Sequence, residues 1–198
     1  MATERSDEGI AQGNEADGNY QDVYVFFPHA AADIVEQVRR GNGEDGPVRF
    51  VASVTGSYDA IAVVEVEPVR GEESPLANLP NLIKESFGGS VKGDPPTQVP
   101  LKNGPRQLRY TKHYPHLAFV GIRVRPGRAE QVLGLTSVVP GYNGSAIVAG
   151  PYDVFLEIGA PSFDELKRRL LHSLHPVRGI QWSESFIVTS YYYRGRRK

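Results

Sequence analysis

The chain repeats itself. Gly56, Tyr58 and Asp59 recur as Gly150, Tyr152 and Asp153, and Glu36-Gln37-Val38 recurs as Glu130-Gln131-Val132, in both cases 94 residues later. One such match is cheap; two at a single spacing, set in the same succession of patterns, imply a duplicated unit. In the first copy Val23–Phe27 is aromatic and β-branched, the composition of a strand. Ala31, Ile34, Val35 and Val38 form the apolar stripe of a helix, which Gly41 to Gly46 ends. Val48–Thr55 and Asp59–Glu67 read as strands around a turn at Gly56-Ser57. In the second of them Val64 and Val66 alternate with Glu65 and Glu67, which predicts one buried and one wet face. Ser74–Phe87 reads as a helix with Pro80 in its first turn. Residues 88–106 are rich in Gly, Pro and Lys and predict a loop, with a short edge strand near Thr97–Leu101.

The second copy follows the same order. His116–Arg125 is a strand, Pro126-Gly127 opens a helix, and Asn143–Ala149 and Asp153–Ile158 are strands around Gly150-Pro151. Ser162 and Glu165 have the spacing of a capping box, ahead of a helix carrying Phe163, Leu166, Leu170, Leu171 and Leu174 on one face. Gly179 ends that helix, and Ser185–Tyr193 is the closing strand. Each copy is therefore a βαββαβ, ferredoxin-like module, and the fold class is α+β. A sheet with helices on one face needs a partner for the other. Two tandem modules can supply it to each other, their sheets facing one another as an intramolecular pseudo-dimer. The expected divisions are a disordered acidic tail at 1–20, a first module at 21–102, a linker at 103–115, a second module at 116–193 and a basic tail at 194–198.

Composition narrows the function. A net charge of −1 gives no overall pull towards nucleic acid or an anionic membrane. The absence of cysteine removes disulfides, thiolate nucleophiles, thiolate zinc sites and iron–sulfur clusters. Met1 leads into a charged stretch without an apolar core, so a cytoplasmic protein with no membrane partner is expected. No nucleophile elbow, P-loop or kinase signature is present. Gly41-Asn42-Gly43-Glu44-Asp45-Gly46 matches G-x-G-x-x-G, but it follows a helix, precedes a strand and carries two acids, so it is a loop and not a dinucleotide site. His113 with His116, and His172 with His175, lack an obvious third ligand, so no metal site is expected. Asn143-Gly144-Ser145 has the form of a glycosylation sequon without a secretion signal to give it meaning. Four cations follow Tyr193, a tail read as solubilising.

The second half resembles the ligand-binding domain of the Lrp/AsnC regulators, within the dimeric α/β barrel group, from His116 to about Ser190. The words that carry the likeness are Phe119–Val124, Pro126-Gly127-Arg128-Ala129-Glu130, Val139-Pro140-Gly141, Ala149-Gly150-Pro151-Tyr152-Asp153 and the closing stretch Gly179–Val188. Where the family shows threonine-x-threonine in its last strand, this chain has Ser183-Glu184-Ser185. The first half is similar more faintly, through Gly46-Pro47-Val48 and Thr55-Gly56-Ser57-Tyr58-Asp59, and has no hydroxyl pair in its last strand. The family's helix-turn-helix is not expected within residues 1–21, which are short and polar.

The resemblance implies an amino-acid effector held near the hairpin turn, against the last strand of a neighbouring unit. It nominates Gly150, Tyr152, Asp153, Ser183 and Ser185, with Gly56, Tyr58 and Asp59 as the first-copy counterparts. A carboxylate and hydroxyls suit an ammonium group, and amides at a glycine turn suit a carboxylate. A purely structural turn is the competing reading of both aspartates. The expected role is sensing without catalysis or cofactor: regulation of transcription through self-association or a DNA-binding partner, with no direct nucleic-acid binding. The alternative is a barrel enzyme, such as a small monooxygenase or haem-handling protein, with a histidine as axial ligand and Tyr24, Phe26, Phe119 and Trp182 lining its cavity.

Overall fold

In a computed structural model, residues 20–67, 76–93, 95–106, 108 and 114–194 are described. The acidic tail apart from Tyr20, the basic tail apart from Arg194, the helix start expected at Ser74, and His113 lie outside those residues. The first module runs β1 (Gln21–Phe27), α1 (Ile34–Gly41), β2 (Val48–Thr55), β3 (Ala60–Val66), α2 (Leu79–Phe87), β4 (Thr97–Asn103). The second runs β5 (His116–Val124), α3 (Ala129–Thr136), β6 (Tyr142–Ala149), β7 (Val154–Ala160), α4 (Phe163–Arg168) and β8 (Ile180–Tyr193). The duplicated hairpins are congruent: β6 and β7 begin and end 94 residues after β2 and β3.

The strands form one closed barrel in the order β1-β3-β2-β8-β5-β7-β6-β4. Each module contributes four neighbours, and the seams are β2 against β8 and β4 against β6. Every adjacent pair is antiparallel, so β1 and β5 point the same way. Both Gly-x-Tyr-Asp turns therefore lie at one mouth of the barrel, together with the first residues of β4 and β8. The fold is an intramolecular dimeric α/β barrel, the packing that the duplication and the family resemblance together imply.

Closure divides the core into three apolar clusters. Tyr24, Phe26, Phe50, Phe119, Phe155 and Phe186 pack inside the barrel. α1 and α2 cover the outer face of the first module, and α3 and α4 that of the second. The rings inside interlock, with Phe155 5.1 Å from Tyr24, 5.7 Å from Phe26 and 5.6 Å from Phe119.

Closure also corrects two expectations. Glu65 does not sit on a wet face: β3 is buried throughout, and Glu65 pairs with Arg194 at the mouth opposite the hairpins. Nearby, Arg49 pairs with Asp22 at 2.6 Å. β4 is not an edge strand but the staple between β1 and β6, and Pro100 is accommodated where the register with β6 shifts. On the last helical segment only Leu166, Leu170 and Leu174 are buried, while Phe163 and Leu171 are exposed. There α4 passes into a π-helical turn, Arg169–Leu174, whose additional residues per turn move the stripe. The cap is half a capping box: Ser162 Oγ accepts from Glu165 N at 3.2 Å, while the Glu165 carboxylate binds Arg168 and Arg169. Asn143 of the sequon is buried in β6 and donates to Glu157.

Candidate functional site at the hairpin mouth

Each hairpin glycine is pressed against the last strand of the other module. A Cβ on Gly56 (φ +141°) would lie 2.9 Å from the Phe186 ring of β8. One on Gly150 (φ +145°) would lie 2.7 Å from the Thr97 carbonyl oxygen of β4. Both turns need a backbone that L side chains rarely adopt, at a separation that admits only hydrogen.

The eight residues expected at a site do not form one cluster. Gly56 packs against β8 and Gly150 against β4, while the Tyr152 side chain reaches β8 and both aspartates bond within their own modules. Ser183 and Ser185 stand opposite Ile122 and Val120 on the outer, helix-covered face of the sheet, so they turn away from the Tyr152 ring. The aspartates hold the fold: Asp59 Oδ2 accepts from Ala30 N at 3.1 Å, and Asp153 Oδ2 accepts from Val124 N at 2.8 Å. Asp59 ties its turn to the loop that leaves β1, and Asp153 ties its turn to the last residue of β5.

The polar centre of the mouth is Glu184. Its Oε2 accepts from the Tyr152 hydroxyl at 3.1 Å and its Oε1 from Ser57 N at 3.0 Å, so one carboxylate bridges the two hairpins. Burial raises the Tyr152 hydroxyl pKa far above its ordinary value, and the Glu184 charge raises it further. Tyr152 therefore remains a donor at any physiological pH. Its ring stacks on Trp182 at 6.0 Å with 9° between planes, and Trp182 is 49% exposed. Arg123, exposed on β5, is the cross-strand partner of Trp182 and shares its face of the sheet. Arg123, Trp182, Glu184 and Tyr152 thus offer a cation, an open ring, an anion and a hydroxyl at one rim.

The other half of the mouth differs. By register with their first strands, Pro96 and Gln98 take the places of Glu184 and Phe186. Gln98 is fully buried, donates from Nε2 to the Tyr152 carbonyl at 3.3 Å, and leaves Oε1 without a donor among the described residues. Strand alternation could have found Glu184: in Trp182–Phe186 the even positions face inward and the two serines outward.

Among the described residues no three of His, Cys, Asp and Glu come together as a metal site. No helix of the described residues is long and apolar enough to cross a membrane.

The architecture defines the class: a dimeric α/β barrel closed within one chain. No family model matches the chain. Over 77 residues it is 30% identical to an uncharacterized HTH-type transcriptional regulator of Pyrococcus abyssi and 29% identical to one of Pyrococcus horikoshii. Each match covers 39% of this chain and 49% of the relative, so the chain spans about half the length of the curated relatives it matches. Among solved structures, the siroheme decarboxylase NirDL has the same fold across 90% of this chain and 74% of its own, at 13% identity and a TM-score of 0.63.

Proposed function

We propose that the chain is a small-molecule sensor that binds a free amino acid at the hairpin mouth and acts in transcriptional regulation through assembly or a DNA-binding partner. The observation that carries this reading is the bridge made by Glu184 between the two hairpins, beside the exposed Trp182 and Arg123. An amino acid is a zwitterion with a side chain. Glu184 has lone pairs left for its ammonium group, Arg123 offers a fork to its carboxylate, and Trp182 offers a surface to its side chain. The likeness of the closing stretch to an effector-binding domain supports the same placement. Trp182 is the chain's single tryptophan, so its fluorescence reports this rim alone.

The test is a titration with each standard amino acid at millimolar concentration, read by Trp182 emission and thermal melting. Saturation at 100 times Kd adds about 2.7 kcal/mol, a shift of several degrees for a domain of this size. Loss of the response in both Glu184→Gln and Arg123→Ala supports the placement. No response to any amino acid removes the sensor reading.

The likeness to NirDL over most of the barrel favours one alternative, haem-type chemistry. The described histidines do not suit it: His29, His172 and His175 are exposed, and His116 faces outward towards Phe163. A Soret shift on addition of haem, retained in His116→Ala, would nonetheless favour that alternative over the sensor.

A further inference from the structure

Beside the mouth, outside the proposed amino-acid site, the loop from β5 to α3 and the loop entering β8 flank a half-open cavity of about 490 Å³. Arg125, Arg128 and Arg178 line it, with Gln131, Val177, Gly179 and Ile180. Among the described residues no carboxylate lines it. Arg128 is steadied by Gln131 at 2.8 Å, while the Arg125 and Arg178 side chains have no partner among the described residues. The backbone beneath is fixed, since Arg125 N donates to the Gly179 carbonyl at 3.1 Å and Arg128 N to the Arg125 carbonyl at 3.0 Å.

Duplication supplies an internal control. The first module has a cavity in the corresponding place, about 550 Å³, between the loop after β1 and the segment before β4. It is lined by His29, Ala30, Ala31, Asp59, Gly89, Ser90 and Lys92, with no arginine. The fold therefore produces the hollow without needing a guanidinium there, and three converge in only one copy. Like charges brought together without a counter-ion repel, so their placement points to an anion.

We propose that this cavity binds an organic polyphosphate of the nucleoside di- or triphosphate class. Three guanidiniums match the three to four negative charges of such a chain, whereas a single carboxylate would leave two of them uncompensated. Arginine forks suit phosphate oxygens, and Val177 with Ile180 gives an apolar floor large enough for a base. A hollow of this size also suits a small ligand better than a duplex, which needs an extended basic surface.

The test is calorimetric titration of the full chain with ATP, GTP, tripolyphosphate and citrate at fixed ionic strength. Binding of the phosphates at micromolar Kd is expected, weakened at least tenfold in Arg125→Ala and in Arg178→Ala. A smaller loss is expected in Arg178→Lys, which keeps the charge without the fork. The three side chains are exposed, so the variants should fold, and unchanged thermal melting verifies it. The proposal is overturned if no phosphate binds, if the alanine variants bind as well as the parent, or if citrate binds equally. It also fails if duplex DNA displaces ATP and loses affinity in the same variants. The Trp182 response to amino acids must survive in Arg125→Ala, which separates failure here from failure of the sensor reading.

Discussion

Gly121 and Phe26 occupy the same place in the two modules, and that one difference shapes the mouth. A Cβ on Gly121 would lie 2.6 Å from the Tyr152 ring, so hydrogen at this position lets Tyr152 sink until its hydroxyl reaches Glu184. In the other module Tyr58 rides on the Phe26 ring at 5.1 Å and stays half-buried. Gly121→Ala should push Tyr152 outward, unstack Trp182 and shift its emission; an unchanged spectrum would contradict the packing. Asp153→Ala should cost about 1–3 kcal/mol, because it orphans the Val124 amide. Urea unfolding measures that loss, and a neutral result would leave Asp153 free for a ligand. The aspartates were legible as a repeated pair from sequence, but their partners were not, since Ala30 and Val124 are 29 residues upstream in each copy. Glu184 was legible only as the middle of a serine pair. Its importance comes from Ser57, 127 residues away, which no local pattern reveals.

At the level of elements, α4 and its π-helical turn depend on Glu165, which answers both Arg168 and Arg169. The Arg168 hydrogen bond, then that from Arg169, holds the Glu165 carboxyl at about 2, below its ordinary 4.5. A lowered folded-state pKa contributes stability that is present above the unfolded value and is lost as pH falls through the folded one. Stability tied to this helix should therefore fall between pH 4.5 and about 2, and Glu165→Gln should flatten that part of the melting profile. An unaltered slope would mean the arginines leave the carboxylate unaided. Strands and helices were readable because their periods are local. The faces of β3 and the role of β4 were not, because both depend on what lies across the barrel. Glu65 alternates like a solvated residue, and only closure buries it beside Arg194. Pro100 marks an edge in an open sheet, yet here a register shift absorbs it.

Across the whole molecule, the modules share one interior. Phe155 touches rings from both, so Phe155→Ala should cost about 3–5 kcal/mol in a single cooperative transition. Polypeptides 21–103 and 114–194 made separately should each expose an aromatic sheet face and two unpaired edges. Light scattering should find them associated alone and forming a one-to-one complex when mixed. A monomeric half with a cooperative melt would contradict the shared core. The facing of the two sheets was foreseeable from the repeat because a bare sheet face demands a partner, while the identity of the seams, β2 with β8 and β4 with β6, needed the register.

The unlike halves of the mouth have a consequence for counting. In a pair of identical chains any residue at the rim occurs twice, and so does any receptor built from it. Here Pro96 replaces Glu184 across the pseudo-axis and Phe26 replaces Gly121, so the rim is single and lopsided. On the proposed sensor reading, the stoichiometry should be one amino acid per polypeptide, reached along a simple hyperbola. Any sigmoid response would have to originate between molecules and not within one.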